Sequence, residues 1–163
     1  MRFIFILTFL AIFNFSTGYS AEQPVFGLWK TQDQRAKIEI ASCAEDPSKV
    51  CGTIVELREP IDPDTGKPKK DKLNPDSSLK EREILGLVTL YDFKSDSDNP
   101  NHWTDGKIYN SREGETYSCK MTLVDTNTLE VHGYVGLPIF GKTQKWSRTT
   151  EDEKLIATED TEK

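Results

Sequence analysis

The chain has little of what catalytic and metal-binding sites require. Its 163 residues include only two histidines, three cysteines and two methionines. It has no Gly-x-Ser-x-Gly elbow, His-Glu-x-x-His motif, Walker loop or dinucleotide-binding fingerprint. His102 and His132 have no second metal ligand and no catalytic partner close by in the sequence. We therefore expect a protein that is not an enzyme and that holds neither a metal ion nor a cofactor.

An excess of basic residues is also absent. The formal net charge at pH 7 is −6. Because an acidic surface repels phosphate groups, this charge argues against nucleic acid and against an anionic membrane as partners. It does not indicate which protein partner, if any, the chain has.

No apolar run in the chain is long enough to span a bilayer. The longest covers residues 3–15, after Arg2, and the small residues Gly18 and Ser20 follow it. This order is typical of a secretory signal peptide, which we place at residues 1–20; a retained anchor is the less favoured alternative. We therefore expect export to the periplasm or the medium, without an integral membrane span after cleavage.

The rest of the chain divides into one domain and a tail. Residues 21–150 suffice for a single domain with a hydrophobic core, whereas residues 151–163 are acidic, lack aromatic side chains and are predicted to be disordered. Cys43 ends one strand pattern and Cys51 begins the next, across the open end of a hairpin. We predict a disulfide between them, as expected in an exported chain. For Cys119 we favour a buried free thiol over a reactive or intermolecular one.

Short strand patterns, nearly all joined by short turns, fill the predicted domain. They cover residues 25–31, 36–43, 51–58, 86–94, 103–110, 116–124, 129–136 and 141–150. In the second, Ile38 and Ile40 alternate with the charged Lys37 and Glu39, and Asp105-Gly106 indicates a bulge or a kink in the fifth. Eight strands at this spacing favour an up-and-down barrel, because closure removes the exposed edges of an open sheet; a sandwich is the alternative.

One long insertion, after the third strand, interrupts this pattern. Ser78 and Glu81 fit a capping box and Gly86 is a natural stop signal, so a short helix is predicted over residues 79–85. We expect the helix to lie across or beside the mouth of the barrel. If it is a lid, its apolar residues Leu79, Ile84 and Leu85 should point inward.

Eight short motifs occur in order along the chain. They are Gly27-Leu28-Trp29, Cys43 followed by Cys51-Gly52-Thr53-Ile54-Val55, Asn74-Pro75-Asp76, Leu85-Gly86-Leu87, Trp103-x-x-Gly106-x-Ile108-Tyr109, Gly114-x-Thr116-Tyr117, Gly133-Tyr134-Val135-Gly136 and Gly141-x-Thr143-Gln144-x-Trp146-x-Arg148. Together they resemble a bacterial family of secreted proteins, that of domain of unknown function 2147, over residues 26–148. The resemblance implies an all-β, eight-stranded lipocalin-like barrel and an envelope or extracellular location, but no established activity.

The first and last strands carry a pattern similar to that of the lipocalins. In that pattern an arginine of the last strand packs over the tryptophan of a Gly-x-Trp in the first and plugs the closed end of the barrel. The resemblance therefore implies structural roles for Gly27, Trp29, Trp146 and Arg148.

A barrel of eight strands is wide enough either to be filled by side chains or to hold one small ligand. Our leading hypothesis is a carrier that binds a small, largely apolar molecule in the barrel. The alternative is an envelope protein-interaction module with a solid barrel core, and an enzyme acting on an envelope component comes third. Candidate ligand-binding residues are Ile38, Ile40, Val55, Leu57, Met121, Leu129 and Val131, with Tyr109, Tyr117 and Tyr134 as candidates to orient a polar head group.

Overall fold

The computed structural model describes residues 23–156, and every structural statement below concerns those residues. The predicted signal peptide and residues 157–163 of the predicted tail lie outside them. The described chain contains eight strands and two 3-10 helices. The strands are β1 (Gly27–Lys30), β2 (Ala36–Ser42), β3 (Val50–Leu57), β4 (Val88–Ser95), β5 (His102–Asn110), β6 (Glu115–Asp125), β7 (Thr128–Tyr134) and β8 (Lys142–Arg148).

The strands form the predicted closed barrel. Each pairs antiparallel with its neighbours in the chain, and β8 returns to pair with β1. The closing pair is short: Trp29 lies opposite Arg148, and Lys30 lies opposite Ser147. Because so few backbone hydrogen bonds form at this seam, side-chain contacts contribute much of its closure.

Arg148 packs over Trp29 at one end of the barrel. Its guanidinium carbon lies 4.2 Å from the centroid of the indole ring. The guanidinium also donates hydrogen bonds to the carbonyl oxygens of Thr126, Phe26 and Pro24, at 2.6, 2.8 and 2.7 Å. Gly27 has a φ of 122°, and a Cβ there would lie 3.0 Å from Nη1 of Arg148. A side chain at Gly27 would therefore crowd the guanidinium as well as strain the backbone.

The bulge predicted at Asp105-Gly106 is present in β5. The register with β6 shifts between Trp103 and Gly106, and Asp105 has a φ of 59°. A Cβ at Gly106 would lie 2.3 Å from the ring of Phe93. The glycine thus makes room for an aromatic side chain in the barrel interior.

The insertion, residues 58–87, contains a short helix that differs from the predicted one. It is a 3-10 helix at Ser77–Leu79, and Asp76 caps it by accepting hydrogen bonds from the N–H and the hydroxyl of Ser78, at 2.9 and 2.7 Å. The predicted helix at residues 79–85 does not form. Its backbone pairs instead with an earlier part of the insertion, where the N–H of Asp71 donates to the carbonyl of Arg82 at 3.0 Å.

The three cysteines have the predicted states. Cys43 and Cys51 form a disulfide across the turn between β2 and β3. Cys119 is a buried free thiol, and burial raises its pKa to about 12. At neutral pH the Cys119 thiol is therefore protonated and behaves as a small apolar side chain.

The first residues of the acidic tail lie against the outside of the barrel. The ammonium group of Lys37 donates hydrogen bonds to the carbonyl oxygens of Thr150 and Glu151, at 3.2 and 3.1 Å, and pairs with Glu56 at 2.7 Å. Lys37 is consequently only 2% exposed, although its position in the alternating pattern predicts a side chain in water. Part of the tail that is predicted to be disordered, within residues 151–156, therefore contacts the barrel.

Removing the disulfide should destabilise the barrel while preserving its fold. The Cys43→Ser/Cys51→Ser variant should lose about 2–3 kcal/mol of unfolding free energy, because the loop is no longer restrained in the unfolded chain. Urea denaturation followed by tryptophan fluorescence measures this loss. Dithiothreitol should destabilise the wild type by a similar amount and leave the variant unchanged. A loss well below 1 kcal/mol would contradict the prediction.

Replacing Arg148 by lysine should also destabilise the protein, although the charge is kept. Lysine cannot donate to three separate carbonyl groups in the geometry of the guanidinium, so we expect a loss of about 2–3 kcal/mol. Arg112→Lys, at an exposed position near the opposite end of the barrel, is the matched control and should change stability by less than about 0.5 kcal/mol. Equal losses of stability in Arg148→Lys and Arg112→Lys would contradict the prediction that the contacts of Arg148 stabilise the barrel.

Candidate functional site at the open end of the barrel

A cavity of about 840 Å³ opens at the end of the barrel opposite Arg148. The connections after β1, β3, β5 and β7 surround its mouth. Its wall inside the barrel includes the apolar side chains of Ile38, Ile54, Ile108, Val131 and Trp146, together with the polar Thr89 and Gln144. The other half of the interior is solid, with the fully buried side chains of Trp29, Phe93, Trp103 and Leu129. The barrel is thus filled at one end and hollow at the other.

Most of the candidate ligand-binding residues face this interior. Ile40, Met121 and Leu129 are buried in the core but lie in the solid half, away from the cavity wall. Those that line the cavity are Ile38, Leu57, Tyr109, Tyr117, Val131 and Tyr134. Whether these six contact a ligand stays a prediction.

Val55, predicted to be a ligand-binding residue, does not line the cavity. It faces outward, with 39% of its surface exposed. Along β3, the pairing with β2 passes from Glu56 to Ile54 and leaves Val55 as an extra residue. This bulge reverses the alternation of the strand, so that Ile54 and Leu57 both line the cavity. A strict period of two cannot place both of those residues inside.

Several lining residues come from the connections. Ile84 of the insertion was expected to point inward, whereas Leu73 of the insertion and Val135 and Phe140 of the connection between β7 and β8 were missed from the sequence. Irregular segments have no period from which the direction of a side chain can be read. The sequence does contain one sign that a connection contributes to the cavity: the connection between β7 and β8 is a run of apolar residues, where polar turn residues are usual. Trp146, assigned a structural role, also lines the cavity.

The insertion borders the mouth of the cavity. Ile84 packs against the core and lines the cavity, as expected of a lid residue. Leu79 and Leu85, however, are 36% and 46% exposed, so the expectation that all three point inward is wrong. The insertion therefore forms one wall of the mouth.

A buried carboxylate fixes the insertion to the barrel. Asp71 is 0% exposed and accepts hydrogen bonds from the Tyr109 hydroxyl, Nδ2 of Asn74 and Nε of Arg82, at 2.6, 2.8 and 2.9 Å. Nδ2 of Asn74 also donates to the Tyr109 oxygen at 3.0 Å. Tyr109 belongs to β5, so this Asp71 network joins the insertion to the barrel wall. Asn74 in the Asn-Pro-Asp motif thereby has a direct structural role.

The network sets the protonation of its members. Burial by itself raises the pKa of Asp71, but the hydrogen bonds from Tyr109, Asn74 and Arg82 and the charge of Arg82 outweigh it and lower the pKa below 3.8. Burial and the hydrogen bond to Asp71 raise the pKa of Tyr109. Asp71 is therefore ionised and Tyr109 neutral at physiological pH. The Tyr109 proton is already donated to Asp71, which argues against its predicted role in orienting a ligand head group.

Charged side chains, many of them paired, surround the mouth. Lys69 pairs with Glu59 at 3.1 Å, and Arg112 approaches Asp33 at 3.6 Å. The Tyr117 hydroxyl donates to Glu113 at 2.7 Å. The site thus has apolar side chains in its interior and a charged entrance, an arrangement that suits a molecule with an apolar body and a polar end.

The two histidines lie away from the cavity. Nδ1 of His132 lies 2.7 Å from Oγ1 of Thr143, and Nε2 lies 2.8 Å from the carbonyl oxygen of Pro138, on the outer wall. His102 begins β5 near the closed end. Within residues 23–156, no group of three or more His, Cys, Asp or Glu side chains could hold a metal ion. The same part of the chain has no helix that is long and apolar enough to cross a membrane.

The Asp71 network should make stability depend on acidic pH. The folded-state pKa of Asp71 lies below the unfolded value of about 3.8, so its contribution is fully present above that value and is lost as the pH falls through the folded-state pKa. Asp71→Asn should therefore be less stable than the wild type at pH 7, and the difference should shrink below about pH 4. Urea denaturation across this pH range tests it, with Asp64→Asn, in the same insertion but outside the network, as the control. A difference independent of pH would contradict the prediction.

Comparison with known proteins agrees with this architecture. The model of a family described as "Uncharacterized protein conserved in bacteria (DUF2147)" matches residues 27–148. The solved structure of protein HP1028 from Helicobacter pylori, described as belonging to the lipocalin family, is similar with 28% sequence identity and a TM-score of 0.63, over 80% of this chain and 85% of that one. No curated protein matches the sequence.

The family match begins with the first residue of β1 and ends with the last residue of β8, so it spans the whole barrel. The matched range includes the Arg148 contact and the Asp71 network, which close one end of the barrel and shape the other. On these grounds the chain belongs to the bacterial DUF2147 family and is a lipocalin-like protein.

Proposed function

We propose that the protein is an exported carrier that binds one small, largely apolar molecule in the barrel. The observation that carries this proposal is the cavity of about 840 Å³, which has apolar side chains on its inner wall and opens at one end. This volume lies within the range of about 300–1,000 Å³ usual for small-molecule sites. The disulfide supports export, because such bonds persist in oxidising compartments.

The two ends of the cavity suit the two ends of an amphipathic ligand. The apolar part would contact Ile38, Ile54, Ile108 and Val131, which offer no hydrogen-bonding side chain. The polar end would lie among the charged side chains of the mouth, close to solvent. Such an arrangement desolvates only the part of the ligand that gains from leaving water.

The affinity expected from this geometry is moderate. Removing about 300 Å² of apolar ligand surface from water would contribute roughly 7–8 kcal/mol. Lost translational and rotational freedom takes back several kcal/mol. A net gain of about 4–6 kcal/mol corresponds to dissociation constants of about 40 µM to 1 mM.

We propose binding and not catalysis as the activity of the site. The ionised Asp71 is held by three donors, and Tyr109 already donates its proton to it. The Cys119 thiol is buried, and its raised pKa of about 12 disfavours the nucleophilic thiolate. Asp71 and Tyr109 are hydrogen-bonded to each other, and the Cys119 thiol is protonated. Their states in the folded protein therefore support a binding role.

A cavity-filling variant tests the proposal. A Cβ at Gly133 would lie 3.5 Å from Cγ2 of Ile108 and 3.8 Å from Cβ of Tyr117, which are ordinary contacts, so Gly133→Phe should place a ring in the cavity with little strain. We expect a fluorescent fatty-acid probe to bind the wild type and to bind Gly133→Phe at least about tenfold more weakly, because the ring displaces the apolar part of the probe. Val55→Phe, on the outer wall of the barrel, is the matched control and should bind as the wild type does.

The natural ligand is sought in the same preparation. Native mass spectrometry of the exported protein, followed by organic extraction, should show a bound species that is lost from Gly133→Phe and kept in Val55→Phe. A wild-type protein that carries no such species and does not bind the probe would overturn the carrier proposal.

A further inference from the structure

The connection between β7 and β8 carries four very exposed apolar side chains. Val135, Leu137, Ile139 and Phe140 are 69%, 64%, 82% and 76% exposed, and we call them the apolar tip. They lie at the open end of the barrel. Val135 and Phe140 also line the cavity. A continuous apolar surface therefore runs from the apolar tip into the proposed binding site.

The apolar tip is held by a bonded backbone. In the 3-10 helix Pro138–Phe140, the N–H groups of Phe140 and Gly141 donate to the carbonyls of Leu137 and Pro138, each at 3.1 Å. The carbonyl of Pro138 can only accept, so Nε2 of His132 carries the proton of the 2.8 Å bond to it. These bonds satisfy two N–H groups and two carbonyl groups of the segment. Each polar group satisfied in this way lowers the cost of entering an apolar phase.

The hairpin around the apolar tip differs in charge from the rest of the chain. The whole chain has a net charge of −6, which argues against an anionic surface as partner. Residues 131–150, however, contain no acidic residue, and Lys142 and Lys145 follow the apolar tip directly. Lys142 is exposed beside the mouth. Locally, therefore, apolar and basic side chains meet, which is the combination that phospholipid surfaces bind.

We propose that the open end of the barrel docks on the surface of a phospholipid bilayer. The apolar tip enters the boundary between head groups and acyl chains, and Lys142 lies among the phosphates. The mouth of the cavity then faces the bilayer, so that an apolar ligand passes between the two with little exposure to water. Only this transfer step rests on the proposed carrier function, since docking itself requires no ligand.

A lipid surface fits the apolar tip better than a second copy of the chain does. The tip projects from the barrel, and an equal copy would have to offer an apolar hollow to receive it. The hollow on this molecule is its cavity, whose entrance is ringed by charged residues such as Arg35, Arg58, Glu59 and Asp62. A fluid bilayer adapts to the convex tip without such a matching shape.

Vesicle flotation tests the docking. The chain without residues 1–20, which keeps the complete barrel, is mixed with phosphatidylcholine vesicles containing one quarter phosphatidylglycerol. We expect the wild type to float with the vesicles and Leu137→Asp/Ile139→Asp to bind at least about tenfold more weakly, since two large apolar side chains no longer leave water. Lys142→Glu should weaken binding less, and mainly at low salt.

Val124→Asp is the matched control for the vesicle experiment. Val124 is also an exposed apolar residue, 54% exposed, but it lies near the closed end of the barrel, so its replacement should leave flotation unchanged. Leu137 and Ile139 do not line the cavity, so the double variant should still bind the fatty-acid probe in the absence of vesicles. Retained probe binding also shows that this variant is folded.

The possible results separate docking from the carrier function. Absence of flotation for the wild type, or equal losses in the double variant and in Val124→Asp, would overturn docking. So would a wild-type dimer in solution that Leu137→Asp/Ile139→Asp converts to a monomer, since the apolar tip would then bind a second copy. Flotation by a wild-type protein that binds no probe and carries no extracted species would support docking and refute the carrier proposal.

Discussion

The contact between Arg148 and Trp29 is the constraint on which the rest of the structure depends. The first strand has only four residues, and its seam with the last strand has two pairs in register. The guanidinium covers the indole and binds three carbonyl groups of neighbouring segments, so one side chain joins the amino-terminal segment, β8 and the connection after β6. Charge-assisted hydrogen bonds are stronger than neutral ones, which explains how a short seam can close a barrel.

Closure at that end explains why the cavity lies at the other. The aromatic side chains of Trp29, Phe93 and Trp103 fill the barrel beside Arg148, whereas the cavity and the connections around its mouth occupy the opposite half. There the Asp71 network holds the insertion beside the mouth, so that the entrance is shaped by a fixed wall. The hollow half supports the proposed binding role, and the exposed apolar tip at the same end supports the proposed docking.

Much of the fold could be predicted from the residues because strand and turn patterns are local. The eight strands, the bulge at Asp105 and the disulfide all follow from short segments with strong preferences. The candidate site was predicted less well, since alternation gives the face of a side chain but not its height in the barrel. Ile40, Met121 and Leu129 thus face the interior without reaching the cavity, and a single bulge turns Val55 outward. The capping box at Ser78 failed because tertiary pairing of the insertion used the backbone groups that a helix needs.

The sequence by itself determined the strand order, the closing residues Gly27, Trp29 and Arg148, and the pairing of Cys43 with Cys51, because each depends on a local pattern or on a motif typical of this family. Only the tertiary structure decided which half of the barrel is hollow, where the insertion rests, and that Lys37 is buried under the start of the tail. These features arise where segments distant in the chain meet. The packing and hydrogen bonding between such segments depend on their relative positions in space, which no local pattern contains.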